Sequence, residues 1–228
     1  VLSASGQAGN ADYVLSGAHY NTDGYRTFSK FKRDTLNAKI GIDLSNTTRV
    51  TLIATDLEQP HVQDPGGLNM GAFLSNPKQA NNNNKNANAH KEIYHTHAGL
   101  LLEHQLSDTD SINSMVYYGI RDNYQSLYSS SAISGYKRIF GVNMAWIHKA
   151  TLLDKPFNFT AGVNYDLMRD KRYRYTGGAG GFIVSTSVLD RQELNEAYNI
   201  DAYVQAHWDV HETLTAHAGI RHTDITYN

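Results

Sequence analysis

Residues Glu193 to Tyr227 read ELNEAYNIDAYVQAHWDVHETLTAHAGIRHTDITY. From Tyr198 to Trp208 the even positions are Tyr, Ile, Ala, Val, Ala and Trp, and Asn199, Asp201, Tyr203, Gln205 and His207 lie between them. After the polar break Asp209 to Thr213, Leu214, Ala216, Ala218 and Ile220 alternate with Thr215, His217, Gly219 and Arg221. Strict period two means a strand with one apolar and one polar face. Two such strands joined by a tight turn form a hairpin. An aromatic closes the apolar face of the first strand at each end. Tyr198 and Trp208 are ten residues apart, which is about 33 Å of strand. Tilted by about 40°, that length rises roughly 25 Å, the height of the apolar band of a transmembrane barrel.

The same rhythm runs outward through the chain. Leu36, Ala38, Ile40, Ile42 and Leu44 alternate with Asn37, Lys39, Gly41 and Asp43. Tyr94, Ala98, Leu100 and Leu102 stand opposite His95, His97, Gly99 and Glu103. Ile112, Ser114, Val116, Tyr118 and Ile120 repeat the pattern, and so do Phe157, Phe159, Ala161, Val163, Tyr165 and Leu167. Tyr136, Phe140, Val142, Met144 and Trp146 carry a second aromatic pair ten residues apart. Nine strands and a partial tenth are expected, with no convincing helical period.

The connections alternate in length. Gly6–Asn10, Ser45–Thr48, Ser107–Asp110, Thr151–Pro156 and Asp209–Thr213 are short, whereas Asn21–Phe31, Gln59–Glu92, Gln125–Ser134 and Asp170–Gln192 are long. Short periplasmic turns and long extracellular loops are the outer-membrane arrangement. The expected fold is therefore all-β: a transmembrane antiparallel up-and-down barrel, present in part. It places Tyr136 and Tyr198 at the outer membrane interface and Trp146 and Trp208 at the periplasmic one. A soluble sandwich or lipocalin-like barrel has the same alternation with its apolar face inward. Strands of about ten to fourteen residues, longer than the usual five or six, favour the membrane.

Composition narrows the function classes. There are 20 Lys+Arg and 22 Asp+Glu, so no nucleic-acid partner is indicated. The chain has no Cys, which removes zinc-finger, disulfide-scaffold and thiol-nucleophile readings. No run of 18 apolar residues offers a transmembrane helix. The chain opens on Val1 and carries no signal peptide, so it reads as an internal fragment.

Three stretches resemble the siderophore-receptor group of TonB-dependent outer-membrane receptors. AHYNTDGYRTFSKFKRDTLNAKIGIDLSNTTRVTL (Ala18–Leu52) is similar to an early hairpin of that barrel, with its GYR loop. QDPGGL (Gln63–Leu68) is similar to a segment of the following extracellular loop. Tyr198–Arg221, with AYVQAHWDVHETLTAHAGIR, is similar to a recurrent hairpin of the family. The resemblance covers essentially the whole chain. It implies a barrel of 22 strands with a plugged lumen. Residues 1–228 would be part of that one barrel domain, without its plug, its TonB-contacting segment or its closing strands. It further implies a bacterial outer-membrane location and extracellular loops that bind a ferric siderophore. Uptake is energised by TonB of the inner-membrane complex, the cargo is not altered chemically, and no resident cofactor is involved. A passive porin-like channel, or a receptor for cobalamin or haem, is the alternative.

Candidate ligand residues follow from the loops. Arg26, Arg121, Arg172 and Arg174 lie in or just below them, accompanied by Tyr25, Tyr173, Tyr175 and Gln63. Guanidinium forks and phenol rings suit anionic ferric chelates. Outward Arg138 beside Tyr136 suits lipopolysaccharide phosphate, with outer-membrane lipid as the surrounding partner. His95 and His97 share a strand face, and a metal site there would need Glu103 or His104 as a third ligand. No metal site is expected. Haem capture would draw on a loop histidine such as His61 or His90, but the FRAP and NPNL segments of haem receptors are absent. Inward glycines recur at 41, 99, 119, 141, 162 and 219, as strand curvature or as room for a plug. GGAGG (Gly177–Gly181) is a loop and not a nucleotide cradle, because no helix follows. No catalytic constellation appears.

Overall fold

A computed structural model describes residues 1–128, 131–177 and 187–228. Ten strands follow one another: β1 (Leu2–Ala8), β2 (Ala11–Thr22), β3 (Phe31–Ser45), β4 (Thr48–Gln63), β5 (His90–Gln105), β6 (Asp110–Leu127), β7 (Ser131–Leu152), β8 (Lys155–Thr176), β9 (Val188–His211) and β10 (Leu214–Tyr227). Two short helices, α1 (Met70–Ser75) and α2 (Asn82–Asn86), lie in the β4–β5 connection. The strands form one open sheet in chain order, every pair antiparallel. This is the up-and-down wall expected from the alternation. No helix among the described residues is long and apolar enough to cross a membrane, which says nothing of strands.

Register aligns the apolar positions into one band. Ile40, Leu52, Leu100, Val116, Val142, Tyr165 and Ile200 are successive cross-strand partners from β3 to β9. Most of these side chains are exposed, Leu52 by 41%, Leu100 by 44% and Ile200 by 54%. The opposite face carries the enclosed positions, including Gly41, Thr51, Gly119, Gly141, Ala145 and Asp201. Asp201 is 1% exposed. It accepts hydrogen bonds from Asn164 Nδ2 at 2.7 Å, Asn199 Nδ2 at 3.1 Å and Arg221 Nη2 at 2.7 Å. This carboxylate is thus enclosed and satisfied while large apolar side chains face out. A soluble barrel has the reverse arrangement, so the apolar face is the one that meets lipid.

The aromatic pairs keep a constant offset. Tyr136 is level in register with Leu194, so Tyr198 lies four residues further along β9. Trp146 is level with Val204, so Trp208 again lies four residues further along. Two parallel aromatic lines oblique to the strands are what strand tilt produces in a barrel. Each indole N–H at the short-turn end has a partner. Trp146 Nε1 donates to Asp110 Oδ1 at 3.0 Å and Trp208 Nε1 to the Leu152 carbonyl at 3.1 Å.

The inward glycines make room for long side chains on the neighbouring strand. A Cβ at Gly141 would collide with the Tyr117 ring, which lies across it and donates to Asp166 Oδ1 at 2.5 Å. A Cβ at Gly162 would collide with the Tyr203 ring in the same way.

The strands run further outward than the alternation indicated. The expected loop Gln125–Ser134 is mostly strand, because β6 continues to Leu127 and β7 starts at Ser131. The expected loop Asp170–Gln192 narrows to the segment between Thr176 and Val188. Beyond the lipid band both faces are polar, so the hydrophobic period stops while the backbone ladder continues. Residues 178–186, which hold most of the GGAGG run, lie outside the described residues. The short turns are tighter than expected. Leu153 and Asp154 alone join β7 to β8, with φ of 52° and 61°, as a type I′ hairpin requires.

Arg26 organises the outer connections. Its Nε donates to the Gln79 carbonyl at 3.0 Å, Nη1 to Gly66 at 2.6 Å, and Nη2 to Pro65 at 3.2 Å and Gln79 at 2.8 Å. This ties the β2–β3 connection to the β4–β5 connection. Gly66 sits at φ +65°, and a Cβ there would collide with the Asn84 carboxamide. That accounts for the DPGGL run: its first glycine needs both the left-handed backbone and the missing side chain.

Two outcomes follow. Emission assigned to Trp146 and Trp208, by difference against Trp146→Phe and Trp208→Phe, is quenched most by lipids labelled near the headgroup; strongest quenching at the bilayer centre contradicts the placement. Arg26→Ala removes four hydrogen bonds from a charged donor and eases opening of residues 64–89 by about 3 kcal/mol. Limited proteolysis then cuts within 64–89 while the heat-modifiable gel mobility of the barrel persists, and Arg26→Lys does not restore protection because an ammonium lacks the planar fork.

Candidate functional site

The outer third of the enclosed face is the candidate ligand surface. Alternation places Arg121 on β6, Lys137 on β7, Arg172 and Arg174 on β8, and Arg191 on β9 on that face. Arg121 pairs in register with Lys137, and Lys137 with Asp170. Gly135, Arg172 and Glu193 form the next row, and Ile133, Arg174 and Arg191 the one after. Arg172, Arg174, Arg191 and Glu193 line a shallow hollow of about 350 Å³ with Leu127, Ser131, Ile133 and Thr176.

The carboxylates here are shared unevenly. Arg174 Nη2 pairs with Asp190 Oδ2 at 2.6 Å, Lys137 with Asp170 at 3.7 Å, and Arg191 takes Glu193. Among the described residues, no ion pair engages Arg121 or Arg172. Exposed ion pairs such as Arg174–Asp190 contribute little to stability.

The other sequence candidates are placed differently. Tyr173 and Tyr175 lie on β8 itself, where strand alternation turns them to the face opposite Arg172 and Arg174. They belong to the outer flank and do not share a pocket with the arginines. Arg26 and Gln63 are engaged in holding the connections: Arg26 by its four carbonyl contacts, Gln63 through Oε1, which accepts from Lys30 N at 3.0 Å. Tyr25 is exposed, with Lys78 Nζ 5.5 Å from its ring centre, beside Met70, Phe73 and Pro77. Arg138 stacks on the Tyr136 ring at 5.2 Å on the outer face, where Arg169 and Lys171 are its neighbours in register.

His95 and His97 face inward, with His97 Nδ1 3.1 Å from His95 Nε2. Glu103 lies further down the strand, and His104 takes the opposite face to bond Thr48 Oγ1 at 2.8 Å. The third ligand required there is therefore missing among the described residues. His95 and His97 instead border an apolar hollow of about 290 Å³ with Ile53, Leu101, Met115 and Ile139. Sequence reasoning missed this hollow: each apolar member sits alone on a polar strand face and only register gathers them. It also did not bring together His61, His90 and Glu92, at the feet of the β4–β5 connection above the lipid band. Burial there pushes the His61 imidazole below its ordinary range, with His90 adding to the effect.

No protein-family model matches the chain. Solved structures do. The ferric citrate transporter FecA in its unliganded form superposes with a TM-score of 0.85 at 15% identity, over 97% of this chain and 33% of that one. The ferric-catecholate import receptor Fiu from E. coli K12 gives 0.75 at 13% identity, over 98% and 42%. The ferripyoverdine receptor of the outer membrane of Pseudomonas aeruginosa gives 0.74 at 14% identity, over 98% and 35%. This chain thus spans about a third of the length of the ferric citrate transporter and of the ferripyoverdine receptor. The fold expected from the resemblance, a stretch of antiparallel up-and-down barrel wall like that of these proteins, is the fold of this chain.

Proposed function

We propose that this chain is part of the wall of a TonB-dependent outer-membrane receptor for ferric siderophores. The observation that carries the reading is the enclosed face itself, cationic at its outer end and apolar midway. Arg121 and Arg172, with no ion-pair partner among the described residues, offer forked donors to an anionic ferric chelate entering from outside. Lower down, the hollow between Ile53, Leu101, Met115 and Ile139 exposes apolar surface toward the lumen. An open porin keeps that surface wet, whereas a plug packed inside the barrel covers it. This favours a plugged receptor over a passive channel, with residues 1–228 belonging to one barrel domain.

Structural neighbours include a ferric citrate transporter and receptors for ferric catecholate and ferripyoverdine, so iron chelates are the cargo class favoured here. A copper transporter, OprC, shares the fold with a TM-score of 0.72, which keeps other metal cargoes as the second reading. Binding and release need no covalent step, so the reading assigns no catalyst. On the outer flank, Arg138, Arg169 and Lys171 are set to meet lipopolysaccharide phosphates just above the lipid band.

Arg121→Ala and Arg172→Ala each weaken binding of an anionic ferric siderophore by about tenfold or more, the worth of a charge-assisted hydrogen bond. Arg169→Ala, on the other face, leaves binding unchanged. The checks are titration of the purified natural protein with a panel of ferric chelates and siderophore-dependent growth under iron limitation. Dissipating the proton gradient stops uptake and spares binding. Equal loss from all three substitutions, or uptake that survives without the gradient, contradicts the reading.

A further inference from the structure

We infer that His61, His90 and Glu92 form a binding site for a single divalent transition-metal ion of the zinc class, on the outer flank of the sheet at the feet of the β4–β5 connection. The site is built by a bulge. Gln59 pairs with Ile93 and Val62 with Lys91, so Pro60 and His61 together oppose the single residue Glu92. Proline cannot donate to the ladder, which makes this a natural place for the extra residue. The extra residue shifts His61 from the lumen-side set to the set that carries Glu92 and His90. One ligand atom from each of the three residues then lies within 4.8 Å of the others.

The tautomer of His90 orients the site. His90 Nδ1 is 2.5 Å from the Asn88 carbonyl, which can only accept, so the proton sits on Nδ1. Nε2 is left facing Glu92 Oε1 at 3.2 Å. A metal ion between them would take this nitrogen and this oxygen as two of its ligands. Ligands of a tetrahedral ion held at about 2.0–2.1 Å stand roughly 3.4 Å apart, close to that separation.

The surroundings support the ligands. Asn88, whose carbonyl holds His90, also accepts from Ser126 Oγ at 3.2 Å. His90 is 1% exposed and lies between the rings of His61 at 4.6 Å and Tyr124 at 5.6 Å. A carbonyl holding the far nitrogen of a ligating histidine is the usual support of a metal-bound imidazole. Two imidazoles and one carboxylate, with a position open beside half-exposed Glu92, match a zinc-type donor set and not the all-oxygen set of calcium or magnesium. The bound ion would join the end of β4 to the start of β5 and so fasten residues 64–89 to the sheet. This inference is independent of the cargo.

The test is equilibrium titration of the natural full-length protein, in detergent and stripped of metal, with Zn²⁺. One equivalent binds, and His61→Ala and Glu92→Gln each weaken binding by at least about tenfold. His97→Ala, on the lumen face, leaves it unchanged. Zn²⁺ also slows proteolysis within residues 64–89 in the parent and not in Glu92→Gln. Heat-modifiable mobility verifies folding. If His61→Ala does not fold, the near-isosteric Glu92→Gln decides. Absence of saturable Zn²⁺ binding, or binding that neither ligand substitution weakens, overturns the site and leaves a proton alone bridging His90 and Glu92.

Discussion

In hydrocarbon there is no water to satisfy a backbone N–H or carbonyl, and this structure depends on that constraint. Every strand from β2 to β9 meets it by pairing on both sides, in chain order, with few shifts of register. Once the ladder is obligatory, side-chain alternation does the rest. One face becomes a lipid-facing band and the other an enclosed polar wall. Asp201 can then be 1% exposed without penalty, because three donors from β8, β9 and β10 converge on it.

The band and its limits were legible in the sequence because both depend on local period. Tyr136 and Trp146 lie on β7 and Tyr198 and Trp208 on β9, on the apolar face that the alternation indicated. The reach of the strands above the band was not legible. Residues such as Arg172 to Tyr175 are polar on both faces, so the signal that distinguishes strand from loop fades while the hydrogen bonds continue. That is why Tyr173 and Tyr175 were grouped with Arg172 and Arg174, although alternation parts them. Arg26 was placed in its loop correctly, but its carbonyl partners at Pro65, Gly66 and Gln79 are distant in sequence and carry no side-chain signature. The same holds for His61, whose facing is decided by one extra residue in a bulge.

The molecule divides its work by height. At the short turns, indole N–H groups are anchored to Asp110 and to the Leu152 carbonyl. Midway, the enclosed face carries tyrosines laid over glycines and an apolar hollow. At the outer end, guanidiniums stand on both faces, Arg121 and Arg172 on the enclosed one and Arg138 and Arg169 on the flank. The β4–β5 connection is held by Arg26 at its crown and by the histidine cluster at its feet. Met70 and Phe73 in that connection, and Tyr25 beside them in the β2–β3 connection, are left exposed.

The central claim is that the apolar face meets lipid and the polar face is enclosed. The most direct test uses the absence of native cysteine in the chain. Spin labels placed one at a time from Phe140 to Ala145 on β7 report access of oxygen, which favours lipid, and of a polar nickel chelate, which favours water. Period two is expected, with oxygen access at Phe140, Val142 and Met144 and oxygen excluded at Gly141, Asn143 and Ala145. Polar access at the even positions with the odd ones shielded from both reagents would contradict it and make the sheet part of a soluble fold.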